Sequence, residues 1–124
     1  MRCLLVDDNA AFLSSAWTLL DRQGVTIVGT ASSSAVALRL AAALRPDVVL
    51  VDIALGEENG FDLACRLAEG DGDGDGGTMA VIMISTAAES DYADLIAESP
   101  AAGFLPKAEL SAAGIRRILA GEHG

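Results

Sequence analysis

At 124 residues the chain has the length of one domain, and an apolar content of 52% excludes a disordered tail as its bulk. A domain of this size buries roughly two thirds of its unfolded surface, so a core forms without disulfides or a structural metal. Eight basic residues against 18 acidic ones, a net charge of −10, argue against autonomous binding to a nucleic-acid backbone or an anionic membrane, both of which need a basic face.

The run Cys3-Leu4-Leu5-Val6 predicts a first strand. It stops at Asp7 and Asp8, too soon for a secretory signal. Phe12, Leu13, Ala16, Trp17, Leu19 and Leu20 recur at helical spacing, with Trp17 read as packing on that helix, and Gly24 ends it. Val25–Val28 reads as a second strand. Ser32, Ser33 and Ser34 offer caps for a helix running to about Leu44, and Pro46 breaks it. Val48–Val51 is continuously apolar, as suits a strand buried on both faces, and it ends at Asp52. A short helix carries Phe61, Leu63, Ala64 and Leu67. Val81–Ile84 is another apolar strand and ends at Ser85. Ser90 caps a helix with Asp91, Tyr92, Leu95 and Ile96. Pro100 follows it, and Ala102–Leu105 is a fifth strand. Ser111 caps a last helix with Ile115, Ile118 and Leu119 inward, and Gly121 terminates it. Five strands alternating with five helices imply an α/β fold: a doubly wound parallel sheet.

Cys3 and Cys65 share no ligand spacing and the single histidine is His123. That argues against a disulfide framework and a zinc site, and reads as reduced thiols in the cytoplasm, both cysteines being buried. Asp71-Gly72-Asp73-Gly74-Asp75-Gly76 imitates a calcium loop, but its twelfth position is Ile82 rather than glutamate. Residues 70–77 are therefore read as an acidic loop.

In a parallel sheet, ligands sit outside the carboxyl ends of the strands. Asp7, Asp8, Asp52, Ser85 and Lys107 all fall there. Three carboxylates brought together repel one another. A hard divalent cation such as Mg²⁺, with oxygen donors, offsets that repulsion. A cation, the Lys107 ammonium and the Ser85 hydroxyl around Asp52 form a site for a phosphoryl group, with Asp52 as nucleophile.

These pieces resemble the receiver domain of bacterial two-component response regulators. They are Leu5-Val6-Asp7-Asp8-Asn9, Val49-Leu50-Val51-Asp52-Ile53 with Gly60 eight residues after Asp52, Val81-Ile82-Met83-Ile84-Ser85-Thr86, and Gly103-Phe104-Leu105-Pro106-Lys107. The resemblance spans essentially the whole chain, in order and spacing. It implies a flavodoxin-like sheet of strand order 2-1-3-4-5 and a single receiver domain over residues 1–124 with no output domain. The module could be free-standing or cut from a longer regulator. It implies Asp52 as phosphoacceptor, Asp8, Asp52 and the carbonyl of Ala54 as Mg²⁺ ligands, and Asp7 on metal-bound water. Lys107 would pair with the phosphoryl oxygens, Ser85 would be the switch hydroxyl and Phe104 the switch aromatic. The implied partners are a sensor histidine kinase and an effector meeting the face of the fourth helix, fifth strand and fifth helix, with a homodimer through that face as one outcome.

The chain departs from the family pattern at several points. Gly56 stands where many receivers have proline, and Ala108 follows Lys107 while Pro106 precedes it. Thr86 is larger than usual and narrows access to Asp52. Ala54 and Ala87 cannot orient water, which predicts slow loss of the phosphoryl group. Taken singly, each residue has a plainer reading: Asp7 and Asp8 as caps, Asp52 as a loop acid, Lys107 and Ser85 as surface and turn residues, Phe104 as core. Two rival functions are a phosphorylation-independent interaction module, disfavoured by the intact acid, hydroxyl and lysine set, and a small aspartate-nucleophile phosphatase. The phosphatase would need a general acid where Ala54 stands, so turnover enzymology is not expected.

Overall fold

Strand residues with no polar side chain are stable only where both faces of the sheet are covered, and Val48–Val51 are fully buried. The computed structural model describes residues 1–71, 79–86 and 93–121. Its strands are β1 (Arg2–Val6), β2 (Thr26–Ala31), β3 (Val48–Asp52), β4 (Ala54–Leu55), β5 (Glu58–Asn59), β6 (Ala80–Ser85) and β7 (Gly103–Pro106). Its helices are α1 (Ala10–Arg22), α2 (Ser34–Leu44), α3 (Gly60–Asp71), α4 (Ala93–Glu98) and α5 (Ala112–Leu119), with a 3₁₀ turn at Lys107–Glu109. The main sheet is parallel with order β2-β1-β3-β6-β7. Setting aside the β4–β5 hairpin, which forms its own antiparallel pair, this is the expected 2-1-3-4-5 order.

Alternate strand residues feed two cores. Leu4, Val6, Val49, Val51, Met83 and Phe104 pack with Ala37 and Ala41 of α2 and Leu63, Ala64 and Leu67 of α3. Cys3, Leu5, Val48, Leu50, Ile82 and Ile84 pack on the other face with Ala16 and Leu20 of α1 and Ala112 and Ile115 of α5. The Gln23 side chain ties the end of α1 to the start of α5 by accepting from the Ala112 N–H at 2.6 Å.

Local chemistry sets the boundaries. Asn9 caps α1 by accepting from the Phe12 N–H at 3.1 Å. Of the three candidate serines it is Ser33 that caps α2, accepting from Val36. Pro46 disfavours a right-handed helical Arg45, which closes α2 in the left-handed region at φ 48°.

Several expectations need correction. β2 starts one residue later than Val25 and runs on to Ala31, because pairing with β1 continues to Val6 and Ala31 through the unpromising Gly29-Thr30. The β4–β5 hairpin has no counterpart in the sequence pattern, since two-residue strands leave no periodic signal. Trp17 and Leu19 are 42% and 39% exposed: the buried stripe of α1 is Ala16 and Leu20, and each successive residue turns about 100° away from it. Leu119 is likewise 38% exposed rather than inward. Cys65 is exposed, one step past buried Ala64, whereas Cys3 is buried. The expectations for the acidic loop fall largely, and those for Ala87, Ser90, Asp91, Tyr92 and His123 wholly, outside the described residues.

Candidate functional site

β1 delivers the first acid. The Asp7 N–H donates to the Ala31 carbonyl at 3.0 Å, prolonging strand pairing by one residue and leaving Asp7 fully buried. Its Oδ1 accepts from the Asn9 N–H at 2.9 Å, which folds the turn into α1. Asp8 then faces solvent. β3 delivers Asp52, also buried, whose Oδ1 accepts from the Ala54 N–H at 3.2 Å. One carboxylate oxygen from each of Asp7, Asp8 and Asp52 lies within 4.8 Å of the others.

β7 delivers the cation. Lys107 Nζ lies 2.5 Å from Asp7 Oδ2 and 3.3 Å from Asp52 Oδ2. It also stands 4.4 Å from the centroid of the Phe12 ring, a cation–π distance. Burial first, then the neighbouring Asp7 charge, push the Asp52 carboxyl above its ordinary range, against the opposing pull of Lys107 and the Ala54 N–H. For Lys107, burial pulls the ammonium down, but its bonds and charge pairing with Asp7 and Asp52 outweigh this and hold it above its ordinary value.

The expected residues fall into two groups. Asp7, Asp8, Asp52 and Lys107 converge. Ser85 ends β6 one step beyond the Asp52–Ile84 pair and is buried, while Thr86 follows it in an exposed bend. The Ala54 side chain is exposed and its backbone bonds to Asp52. Phe104 pairs with Met83 and packs into the core shared with α2 and α3. All described peptide bonds are trans, Lys107–Ala108 included.

The donor set suits a hard cation. All three acids offer oxygen, and the Lys107 ammonium contacts two of the three carboxylates, those of Asp7 and Asp52. Asp7 Oδ2 is buried, and the Lys107 ammonium is what compensates it among the described residues. A divalent ion prefers such an oxygen-rich, under-compensated site.

Two neighbours of the site escaped the sequence reading. Phe12 packs against the core as its place in the helical pattern of α1 predicts, but that pattern gives no sign that its ring also meets Lys107. Glu58 has no sequence signal: its Oε1 accepts from the Ser34 N–H at 2.9 Å, a contact between distant segments.

Three comparisons place the chain among known proteins. The family model described as the response regulator receiver domain matches residues 3–119. The response regulator GacA of Pseudomonas aeruginosa is 27% identical over 98% of this chain and 56% of its own length. The chain thus spans about half of that relative. A LuxR-family two-component response regulator from Aurantimonas sp. SI85-9A1 superposes with a TM-score of 0.84 at 27% identity, over 98% of this chain and 86% of that one. The signal receiver domain of the putative response regulator NarL from Mycobacterium tuberculosis gives 0.79 at 28% identity, over 95% of each chain. A match to nearly the whole chain, on a sheet of the same order and with the acids and lysine at its carboxyl edge, means that this chain belongs to the response regulator receiver domain family of two-component signal transduction.

Proposed function

We propose that this chain accepts a phosphoryl group on Asp52 from the phosphohistidine of a sensor histidine kinase and passes the change to a partner surface. The observation that carries the reading is the meeting of Asp7, Asp8 and Asp52 within 4.8 Å beneath the Lys107 ammonium.

Asp8, Asp52 and the Ala54 carbonyl would hold Mg²⁺, with Asp7 binding a water of its shell. When bound, the ion supplies positive charge to the transferring phosphoryl oxygens. An Asp52 carboxylate oxygen forms the new bond to phosphorus as the donor's P–N bond breaks, and the electron pair leaves on the imidazole. Lys107 stabilises charge on the phosphoryl oxygens as a point charge. The Ser85 hydroxyl donates to one of them, and Thr86 borders the approach to Asp52. Ser85 and Phe104 carry the change outward to the face of α4, β7 and α5, where an effector or a second copy docks. Switching of this kind couples a local charge event to two packings of one element.

No helix among the described residues is long and apolar enough to cross a membrane, which fits action at a kinase's cytoplasmic domain. The module is a stoichiometric acceptor, one phosphoryl group per chain.

Acetyl phosphate with Mg²⁺, followed by intact-mass measurement, tests the reading. One added phosphoryl group, absent in Asp52→Asn and without Mg²⁺, is expected. Sustained hydrolysis of a phosphomonoester would favour a phosphatase instead. Neither Mg²⁺ binding nor addition would favour a phosphorylation-independent interaction module.

A further inference from the structure

The β4–β5 hairpin is attached at one end to the acids and at the other to α2, a helix that supplies no group to the site. It consists of two residue pairs, Ala54 with Asn59 and Leu55 with Glu58, and so short an antiparallel pair has little stability of its own. At its inner end the Ala54 N–H donates to Asp52 Oδ1 at 3.2 Å, and the Gly60 N–H donates to the Ile53 carbonyl at 2.9 Å. Its turn passes close to the exposed acid: a Cβ on Gly56, whose φ is +60°, would lie 3.4 Å from Asp8 Oδ2.

The outer end is tied by one side chain. Glu58 Oε1 accepts from the Ser34 N–H at 2.9 Å, an unpaired donor of the first turn of α2. The Ser33 hydroxyl takes the Val36 N–H of the same turn, so the two caps do not compete. A carboxylate here gains from the helix dipole and makes a charge-assisted bond. The Ser34 N–H accordingly holds the Glu58 carboxyl below its ordinary range.

We propose that Glu58 is a positioning residue for the cation site: its bond to the Ser34 N–H fixes the hairpin and thereby the aim of the Ala54 carbonyl. This rests on the reading of Ala54 as a Mg²⁺ ligand. Glu58 touches neither ion nor phosphoryl group and acts through the backbone between them.

The test uses the full, unphosphorylated chain and Mg²⁺ alone as probe, followed by calorimetry and by the amide shifts of Ala54 and Gly56. Glu58→Ala is expected to weaken Mg²⁺ binding by about three- to tenfold, at or just below the lower edge of outer-shell effects because Glu58 acts one step further from the ion, with full phosphorylation by acetyl phosphate recovered at saturating Mg²⁺. Glu58→Gln, which keeps an acceptor oxygen, should restore most of the affinity. Ser34→Pro removes the donor and leaves Glu58 in place. Proline suits the first helical position, and Ser33 already has the extended backbone that must precede it. It should weaken Mg²⁺ as Glu58→Ala does, and the double variant should be no worse than either single one. Wild-type Mg²⁺ affinity in both single variants, even with a lowered Tm, would reduce Glu58 to a helix cap and overturn the proposal alone. A wild-type chain that binds no Mg²⁺ would overturn both this proposal and the functional reading beneath it.

Discussion

Lys107 lies nearer to Asp7 than to Asp52, with Nζ at 2.5 Å from the first carboxylate and 3.3 Å from the second. Asp7 is fully buried, and Lys107 is its cationic partner among the described residues. Removing one member of a fully buried pair costs about 3–5 kcal/mol, and the remaining exposure of Lys107 lowers this to about 1–2 kcal/mol. Lys107→Met should therefore lose about that much stability in Mg²⁺-free buffer. Because the variant leaves three carboxylates with no ammonium, millimolar Mg²⁺ should stabilise it more than it stabilises the wild type. Urea unfolding with and without Mg²⁺ measures both effects, and an equal Mg²⁺ increment in the two proteins would contradict the charge argument.

Asp52→Asn reports the opposite side of the same balance. Asp52 is buried beside another acid, and those two influences outweigh the pull of Lys107. Its negative charge is thus a net liability for folding without a cation. The amide keeps the shape and can still accept from the Ala54 N–H. Asp52→Asn should be more stable than wild type by about 1 kcal/mol in Mg²⁺-free buffer, a Tm rise of about 3–6 °C. The gain should shrink when Mg²⁺ is added, because the wild type then has its charge compensated. A destabilised variant in the absence of Mg²⁺ would show that the Lys107–Asp52 contact dominates instead.

How far these features could be read from sequence depends on the length over which they repeat. The four apolar runs ending at Val6, Val51, Ile84 and Leu105 placed strands, and strands running parallel bring Asp7, Asp52 and Lys107 to one edge whatever the side-chain detail. Strand β2 was legible only at its start, since Gly29-Thr30 has no strand pattern and is held by pairing with β1. Trp17 and Cys65 were misplaced because each lies one residue past a buried alanine, and apolar character cannot say which side of a stripe faces out. The hairpin and the Glu58–Ser34 bond are illegible, because two-residue strands leave no periodic signal and a contact across 24 residues, between β5 and the first turn of α2, has no local signature. Which acid Lys107 approaches more closely was equally beyond reach, as it depends on side-chain packing against Phe12.

Gly60 is required by closeness rather than by backbone conformation. A Cβ there would fall 2.2 Å from the Asp52 carbonyl oxygen and 2.9 Å from the Ile53 Cα. Both are backbone atoms at the end of β3, so no side chain can move aside. Gly60→Ala must push α3 away from the strand that carries Asp52, at a cost of about 2 kcal/mol or more, in the range of overpacked cores. Chemical denaturation should show that loss, and phosphorylation by acetyl phosphate should slow in the fraction that remains folded. A fully stable, normally phosphorylated Gly60→Ala would mean the α3 start is freer than its contacts indicate.

The two cysteines should behave as opposites. Cys65 is exposed and Cys3 is buried, so an alkylating reagent should label one thiol per native chain, abolished by Cys65→Ser, and two per unfolded chain. Burial pushes the Cys3 thiol from 9.0 up to about 12. Its proton is therefore lost from the unfolded chain first. The contribution of this group is fully present below pH 9 and disappears as pH rises from 9 toward 12, with a slope of up to about 1.4 kcal/mol per unit. Cys3→Ala should flatten that alkaline slope although it lowers stability at neutral pH by opening a small cavity. Urea midpoints between pH 8 and 11 compare the two proteins directly.

The lifetime of the phosphorylated state should be set by what Ala54 lacks. Its side chain is exposed two residues beyond Asp52, beside the proposed acceptor. A methyl group neither donates to nor accepts from an attacking water, so water loses the orientation that a polar side chain would give it. The phosphorylated chain should persist for minutes or longer after the donor is removed. Ala54→Asn or Ala54→Glu places an amide or a carboxylate at that position and should shorten the lifetime by about tenfold or more, through orientation of the attacking water. Intact mass followed over time after rapid desalting measures it in each protein. A half-life of seconds in the wild type would assign water positioning to another group, and an unchanged half-life in both variants would place the path of water away from Ala54.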